Sequence, residues 1–282
     1  MVTAVAFAHA TGFCGGVWNP VVAAIRPDRR AIVWDFPGHG SGPELPHPVD
    51  WWAFGDWTLS RLAEVGSQPL VGVGHSMGGA ALLMAEIKSP GTFTELLLIE
   101  PIVVPPPFVR SDGPMSDRAL KRKSRFVSRE EARANFAGKL PFSAWDPGAF
   151  EGYLACGLIE TPGAAELACK PADEAEIYRT ATLHGVWDHL DQVEVPTTIL
   201  AGAWSDTHQP EFVRTLAARI PACRVEIVAG TGHFLPMEMP LLVADRIEHI
   251  VERLADEPGG EKSGRHQNSE DHMEPGSPAQ ER

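Results

Sequence analysis

The chain has 282 residues, 44% of them hydrophobic and 22% charged, and carries a formal net charge of −13 at pH 7. This is the balance of an ordinary globular protein of one or two domains that can bury a sizeable core. The acidic excess argues against binding to nucleic acid or to anionic membrane, which both call for clustered Lys and Arg, and leaves a small neutral or apolar molecule as the expected ligand.

Short β-branched runs alternate with helical patterns, which predicts βα units and an α/β fold with a mostly parallel sheet flanked by helices. In chain order the expected elements are a strand over 3–8, a helix over 17–25, a strand over 31–35, a helix over 51–64, a strand over 70–74, a helix over 78–88 and a strand over 95–100. Residues 101–190 break this rhythm. No strong strand is legible there, Pro105 to Pro107 form a PPP breaker, and helical stretches lie around 121–136 and 172–183. An insertion of this size over a sheet reads as a helical cap, a device that shapes pockets. The alternation resumes with strands over 197–203 and 224–228 and helices over 211–219 and 241–255. Residues 1–100 and 191–256 are thus expected to form the core and 101–190 the cap. Residues 257–282, almost devoid of large apolar side chains, are expected to be a disordered tail.

Cys14, Cys156, Cys169 and Cys223 stand far apart with no CxxC pair, so neither a zinc knuckle nor a disulfide framework is indicated and reduced thiols are expected. The opening MVTAVAFAHATG lacks a basic leader region, and no run approaches the about eighteen apolar residues of a membrane span. A cytoplasmic protein is expected, and nothing in the sequence calls for a cofactor or a metal or sets an oligomeric state.

The stretch VGVGHSMGGAALLMAE, from Val71 to Glu86, places Ser76 at a corner between an apolar run and a helical pattern. In one reading the glycines make a tight turn and Ser76 simply begins a helix. In the other, Gly74 and Gly78 let strand and helix pack so closely that a strained turn projects the hydroxyl into a cleft as a nucleophile. Serine is a poor nucleophile at neutral pH and needs an adjacent base, which needs an acid to hold its tautomer. Partners stand in order downstream: Asp206 after TTILAGA, and His233 in GTGHF after VEIV. Each follows the carboxyl end of a predicted strand, where open parallel sheets bind ligands.

Through HATGF near the start, DFPGHGSG from Asp35 to Gly42, GHSMGG, AGAWSD and GTGHFLPMEMP, the sequence resembles the α/β-hydrolase fold family from Thr3 to about Asp256. The resemblance implies a triad of Ser76, His233 and Asp206, with an oxyanion hole made by the backbone N–H groups of Phe13 and Met77. In some branches of that family the acid instead ends the strand after the nucleophile helix, where this chain has Glu100 in LLLIEP; Asp206 is the expected acid and Glu100 the alternative. Family members usually open with a two-strand hairpin for which there is no room before Thr3, so either the sheet is short on that edge or the chain starts downstream of its natural beginning. A serine at the elbow argues against the alkyl-enzyme chemistry of haloalkane dehalogenases and epoxide hydrolases. Hydrolysis of a small, largely apolar carboxylic ester through an acyl-serine is the expected activity. Lactone, amide, thioester or carbon–carbon bond hydrolysis and cofactor-free perhydrolysis share the same elbow, and a non-catalytic ligand receptor on this fold is the reading of another class.

Other residues have plainer expectations. His9 and His75 flank the proposed site as structural imidazoles, and Asp35 should bond nearby loop amides. His184 and His189 with Asp188 between them match no zinc spacing. Trp51, Trp52 and Trp57 are expected to pack a core or cap interface, while Phe108, Phe126, Phe136, Phe142 and Trp145 are the candidates for lining an apolar acyl or aryl site.

Overall fold

The apolar run AVAFA forms β1 (Ala4–Ala8), buried along its whole length, as a central strand covered on both faces must be. A 3₁₀ turn at Gly15–Trp18 leads into α1 (Asn19–Ala24), so the helix expected over 17–25 is split where Pro20 sets a new first turn. Then follow β2 (Arg30–Val33), α2 (Trp52–Leu62), β3 (Leu70–His75), α3 (Met77–Lys88) and β4 (Glu95–Ile99). This computed structural model describes residues 4–63, 66 and 69–256. Residue 3 of the first expected strand, residue 64 of the helix expected over 51–64 and the tail expected from 257 lie outside the described residues.

Between β4 and the next core strand come α4 (Pro114–Leu120), β5 (Arg125–Phe126), α5 (Arg129–Ala137), α6 (Pro147–Cys156), β6 (Leu158–Thr161), β7 (Ala164–Leu167) and α7 (Pro171–Thr180). The insertion is therefore not purely helical: β5, β7 and β6 pair antiparallel in that order as a small sheet. These strands were illegible because LIET and AAEL are short and rich in Ala and Glu, poor β formers. The single helix expected over 121–136 shrinks to α5, which begins where Ser128 accepts the Glu131 N–H at 3.3 Å.

The core resumes with β8 (Thr197–Gly202), α8 (Pro210–Ala217), β9 (Cys223–Val228), a short α9 (Leu235–Glu238) and α10 (Pro240–Asp256). The six core strands pair in parallel in the order β2-β1-β3-β4-β8-β9, with β2 on one edge. The chain steps outward from β1 to β2 and returns on the other side as β3. The connections leave β1 and β3 in opposite directions, which opens a crevice at their carboxyl ends. No helix among the described residues is long and apolar enough to cross a membrane.

The insertion is fastened back onto this end of the sheet. The Trp51 indole N–H donates to Ile177 O at 3.3 Å and Thr180 Oγ at 3.1 Å, and that of Trp52 to His184 O at 2.8 Å, as an interface role predicts. A disulfide joins Cys14, in the loop after β1, to Cys156 at the end of α6. This corrects the expectation of four reduced thiols; among the described residues only Cys169 and Cys223 are free. A sequence separation of 142 hides the partners' proximity, and glycines create it. A Cβ on Gly16 would lie 2.4 Å from Gly152 O, so only two bare backbones let α6 approach this closely.

Candidate active site

Ser76 sits between β3 and α3 at φ 55° and ψ −115°, left-handed backbone that L residues rarely adopt. Such strain persists only where the surroundings over-determine it. Here Ser76 N–H donates to Ile99 O at 2.9 Å and Ile102 N–H donates to Ser76 O at 3.1 Å, so the end of β4 clamps the corner from both sides. The corner also demands Gly78, where a Cβ would lie 2.2 Å from Ala8 O. Although Ser76 stands directly before α3, its hydroxyl does not cap the helix. It lies instead 3.2 Å from His233 Nε2.

The other imidazole nitrogen of His233 meets Glu100, not Asp206. His233 Nδ1 lies 2.6 Å from Glu100 Oε2, whereas Asp206 is exposed and makes no hydrogen bond or ion pair with His233. Glu100 is wholly buried and is the second non-glycine residue at positive φ, 46°. The loop after β8, expected to supply the acid, supplies donors to Glu100: Gly202 N–H to Oε1 at 2.8 Å and Ser205 Oγ–H to Oε2 at 2.7 Å. Burial alone would raise the Glu100 pKa. The hydrogen bond and charge of His233, the nearby His208 and the Ser205 hydroxyl outweigh it, so the carboxyl titrates below its ordinary value. The only sequence signal was position, a carboxylate closing a predicted strand, and Asp206 shares it.

The remaining polar groups are structural, as expected for most of them. His9 Nδ1–H donates to Ala10 O at 2.8 Å while its Nε2 accepts the Phe36 N–H at 3.1 Å, and burial, opposed by Asp35, lowers its pKa. Asp35 accepts from Gly15 N–H at 2.6 Å, Ser41 N–H at 2.7 Å and the Ser41 hydroxyl at 2.9 Å. His75 donates from Nε2 to His233 O at 2.8 Å and so steadies the backbone of the base; burial and the adjacent His233 hold it well below the usual imidazole range. His184 bonds Ile102 O at 3.0 Å, and His189 meets Gln192 at 3.1 Å, so the two do not converge on a metal. Sequence reasoning missed His208, which is buried with Nε2 2.9 Å from Pro101 O and Nδ1 3.5 Å from Glu100 Oε2. Burial, countered by Glu100, lowers its pKa.

Met77 is the first residue of α3, so its N–H belongs to the amides that lack an intrahelical acceptor. The Phe13 N–H is not free in the way expected: it closes a turn onto Ala10 O at 3.3 Å, and the neighbouring Gly12 N–H donates to His39 Nε2 at 3.0 Å. The phenyl ring of Phe13 belongs to an aromatic cluster with Trp145, Tyr153 and Phe234. Phe234, 5.4 Å from the His233 ring, packs edge-on against Phe13 at 6.0 Å. Trp145 lies 5.1 Å from Phe13, and Phe142, 4.9 Å from Trp145, continues this aromatic cluster towards Phe136 and Tyr153. Of the other expected lining residues, Phe126 and Phe136 are buried in the core of the insertion, and Phe108 lies beside Gly185.

The sequence profile of the alpha/beta hydrolase family matches residues 5–246, and the chain belongs to that family. It is accordingly an enzyme of the hydrolase class. Abhydrolase domain-containing protein ACTT2 of Alternaria alternata is 25% identical over 222 residues, 66% of this chain and 84% of that protein. A pimeloyl-(acyl-carrier protein) methyl ester esterase of Legionella pneumophila is 25% identical over 208 residues, 69% of this chain and 72% of that one. In fold, the chain is similar to the peroxisomal alpha-beta-hydrolase Lpx1 of Saccharomyces cerevisiae, with a TM-score of 0.80 at 21% identity over 93% of this chain and 80% of Lpx1.

Proposed function

We propose that the protein hydrolyses a small, largely apolar carboxylic ester through an acyl-serine intermediate, with Ser76 as nucleophile, His233 as general base and acid, and Glu100 as the acid that orients His233. The observation that carries this reading is the unbroken chain from Ser76 Oγ through His233 (3.2 Å) to the buried Glu100 (2.6 Å), anchored at both ends by strained backbone. Glu100 accepts Nδ1–H, which leaves the Nε2 lone pair to take the serine proton as Oγ attacks the carbonyl carbon. The imidazolium then forms beside a carboxylate held in its charged state. It returns the proton to the leaving alcohol, and water attacks the acyl-serine by the same route.

Developing negative charge on the carbonyl oxygen is met by Met77 N–H at the positive end of α3. The second donor is the N–H of Thr11, because those of Gly12 and Phe13 already serve His39 and Ala10. Residues 101–190 act as a cap, and Phe13, Phe234, Trp145 and Phe142 wall the acyl pocket with apolar surface. The ester-cleaving activity named for the Legionella relative supports this choice of bond. A fluorophosphonate probe should label Ser76, and Ser76→Ala should remain folded by circular dichroism while losing roughly 10⁴- to 10⁶-fold in kcat on p-nitrophenyl esters of graded chain length. Near wild-type turnover in Ser76→Ala would end the reading.

A further inference from the structure

Glu100 has a second histidine beside it that the proposed relay does not use. Glu100 Oε2, His208 Nδ1 and His233 Nδ1 converge so that these potential metal-ligating atoms lie within 4.8 Å of one another. The hydrogen-bond arrangement of His208 fixes its tautomer. Its Nε2 lies 2.9 Å from the Pro101 carbonyl, which can only accept, so Nε2 carries the proton and Nδ1 is a bare lone pair. Glu100 Oε2 lies 3.5 Å from that nitrogen. The one group between them that can donate is the Thr207 hydroxyl, 3.1 Å from His208 Nδ1 and 3.4 Å from Glu100 Oε2. Glu100 Oε2 already accepts from the Ser205 hydroxyl at 2.7 Å and from His233 Nδ1–H at 2.6 Å, so the Thr207 proton serves His208 Nδ1, and an ion at Nδ1 would displace only that one weak donor.

We infer that Glu100, His208 and His233 form an inhibitory site for one divalent transition-metal ion of the Zn²⁺ kind, bound through Glu100 Oε2 and the two Nδ1 atoms. Two imidazole nitrogens and a carboxylate suit Zn²⁺, Co²⁺, Ni²⁺ or Cu²⁺ and not the hard ions Mg²⁺ or Ca²⁺. Tetrahedral bonds of about 2 Å set donors about 3.4 Å apart. The Glu100 to His208 separation already matches this, the 2.6 Å contact to His233 has to open, and the two Nδ1 atoms, within 4.8 Å of each other, have to close on the ion. Exposed Thr207 borders the cluster, giving an approach from solvent and, with water, a fourth ligand.

Binding disarms the base by a balanced exchange. A metal–Nδ1 bond forms on His233, the Nδ1–H···Glu100 hydrogen bond breaks, and the displaced proton moves through solvent to Nε2. Nε2–H can no longer accept from Ser76, and no proton is lost overall. The inhibition rests on the serine mechanism proposed above, whereas the binding does not.

Metal-stripped full-length protein would be titrated with Co²⁺, following its visible d–d absorption, and separately with Zn²⁺, following the rate at which a fluorophosphonate labels Ser76. One equivalent of Co²⁺ should give the intense band of a four-coordinate site, and Zn²⁺ but not Mg²⁺ should slow labelling by about tenfold or more. His208→Gln keeps a donor for Pro101 O and removes the ligand. Relative to its own metal-free rate, it should need at least about tenfold more Zn²⁺ for the same slowing. Absence of a Co²⁺ band in the wild type, or equal Zn²⁺ sensitivity in wild type and His208→Gln, overturns the site. Failure of the metal-free protein to label at all would instead overturn the serine mechanism, and the Co²⁺ band would still decide the metal site.

Discussion

The exits of β4 and β8 lie side by side at the carboxyl edge of the sheet, each carries a carboxylate, and the two are treated in opposite ways. At the end of β4 the backbone turns left-handed at Glu100, sinks its side chain out of solvent and surrounds it with Gly202 N–H, the Ser205 hydroxyl and His233. At the end of β8 the loop runs back to α8 with Asp206 in water. A buried carboxylate must be paired and hydrogen-bonded to stay charged, and pairing is what lets it orient an imidazole. A solvated one has no fixed partner. Position after a strand does not make an acid; burial with donors does.

The two exits differ also in how the chain leaves them. Beyond Glu100 it makes the long excursion that the Cys14–Cys156 bond ties back to the loop after β1, whereas the loop after β8 has no covalent tether. Reduction should therefore loosen the β4 side. We expect a loss of about 2–4 kcal/mol in denaturant-derived stability, with two free thiols by Ellman titration of the unfolded, unreduced chain. Four thiols before reduction would remove the tether from the account.

A smaller effect should come from the donor that β8 lends to β4. Ser205→Ala deletes a hydrogen bond to a buried charged oxygen, a loss of about 1.5–3 kcal/mol that becomes roughly 10- to 100-fold in kcat if it falls wholly on the transition state. The sign of its pH effect follows from the depressed Glu100 pKa. The charged, active form persists above that value and is lost as pH falls through it. Removing a donor raises the Glu100 pKa, so the acid limb of the kcat profile should move to higher pH in Ser205→Ala. An unmoved limb would mean that Ser205 does not support the acid.

Most of the core was legible: the fully buried β1, β3 and β4 are near-continuous apolar runs, and all six strands, the partly exposed edges β2 and β9 included, lie within two residues of where the pattern puts them. That Ser76 and His233 come together was legible because their glycine-bounded turns both follow strand ends of one sheet. The carboxylate that meets His233 Nδ1 is Glu100 where Asp206 was expected, because the two carry the same local signal and the difference between them is burial created by β8 and His233 from more than 100 residues away. Likewise the Phe13 amide was placed by its position after Gly12, while its engagement with Ala10 depends on turn geometry that spacing does not encode. The small sheet of the insertion and the disulfide were hidden for the same reason, since weak strands and distant cysteines acquire meaning only through contacts that the chain makes once folded.

The contrast between the two carboxylates can be measured directly. Glu100→Gln and Asp206→Asn would be assayed on one p-nitrophenyl ester at one pH, with circular dichroism confirming that both are folded. Glu100→Gln should lower kcat by about 10⁴, as a wrong imidazole tautomer does in serine proteases. Asp206→Asn, an exposed substitution, should stay within about twofold of wild type. A crippled Asp206→Asn beside an active Glu100→Gln would contradict the account.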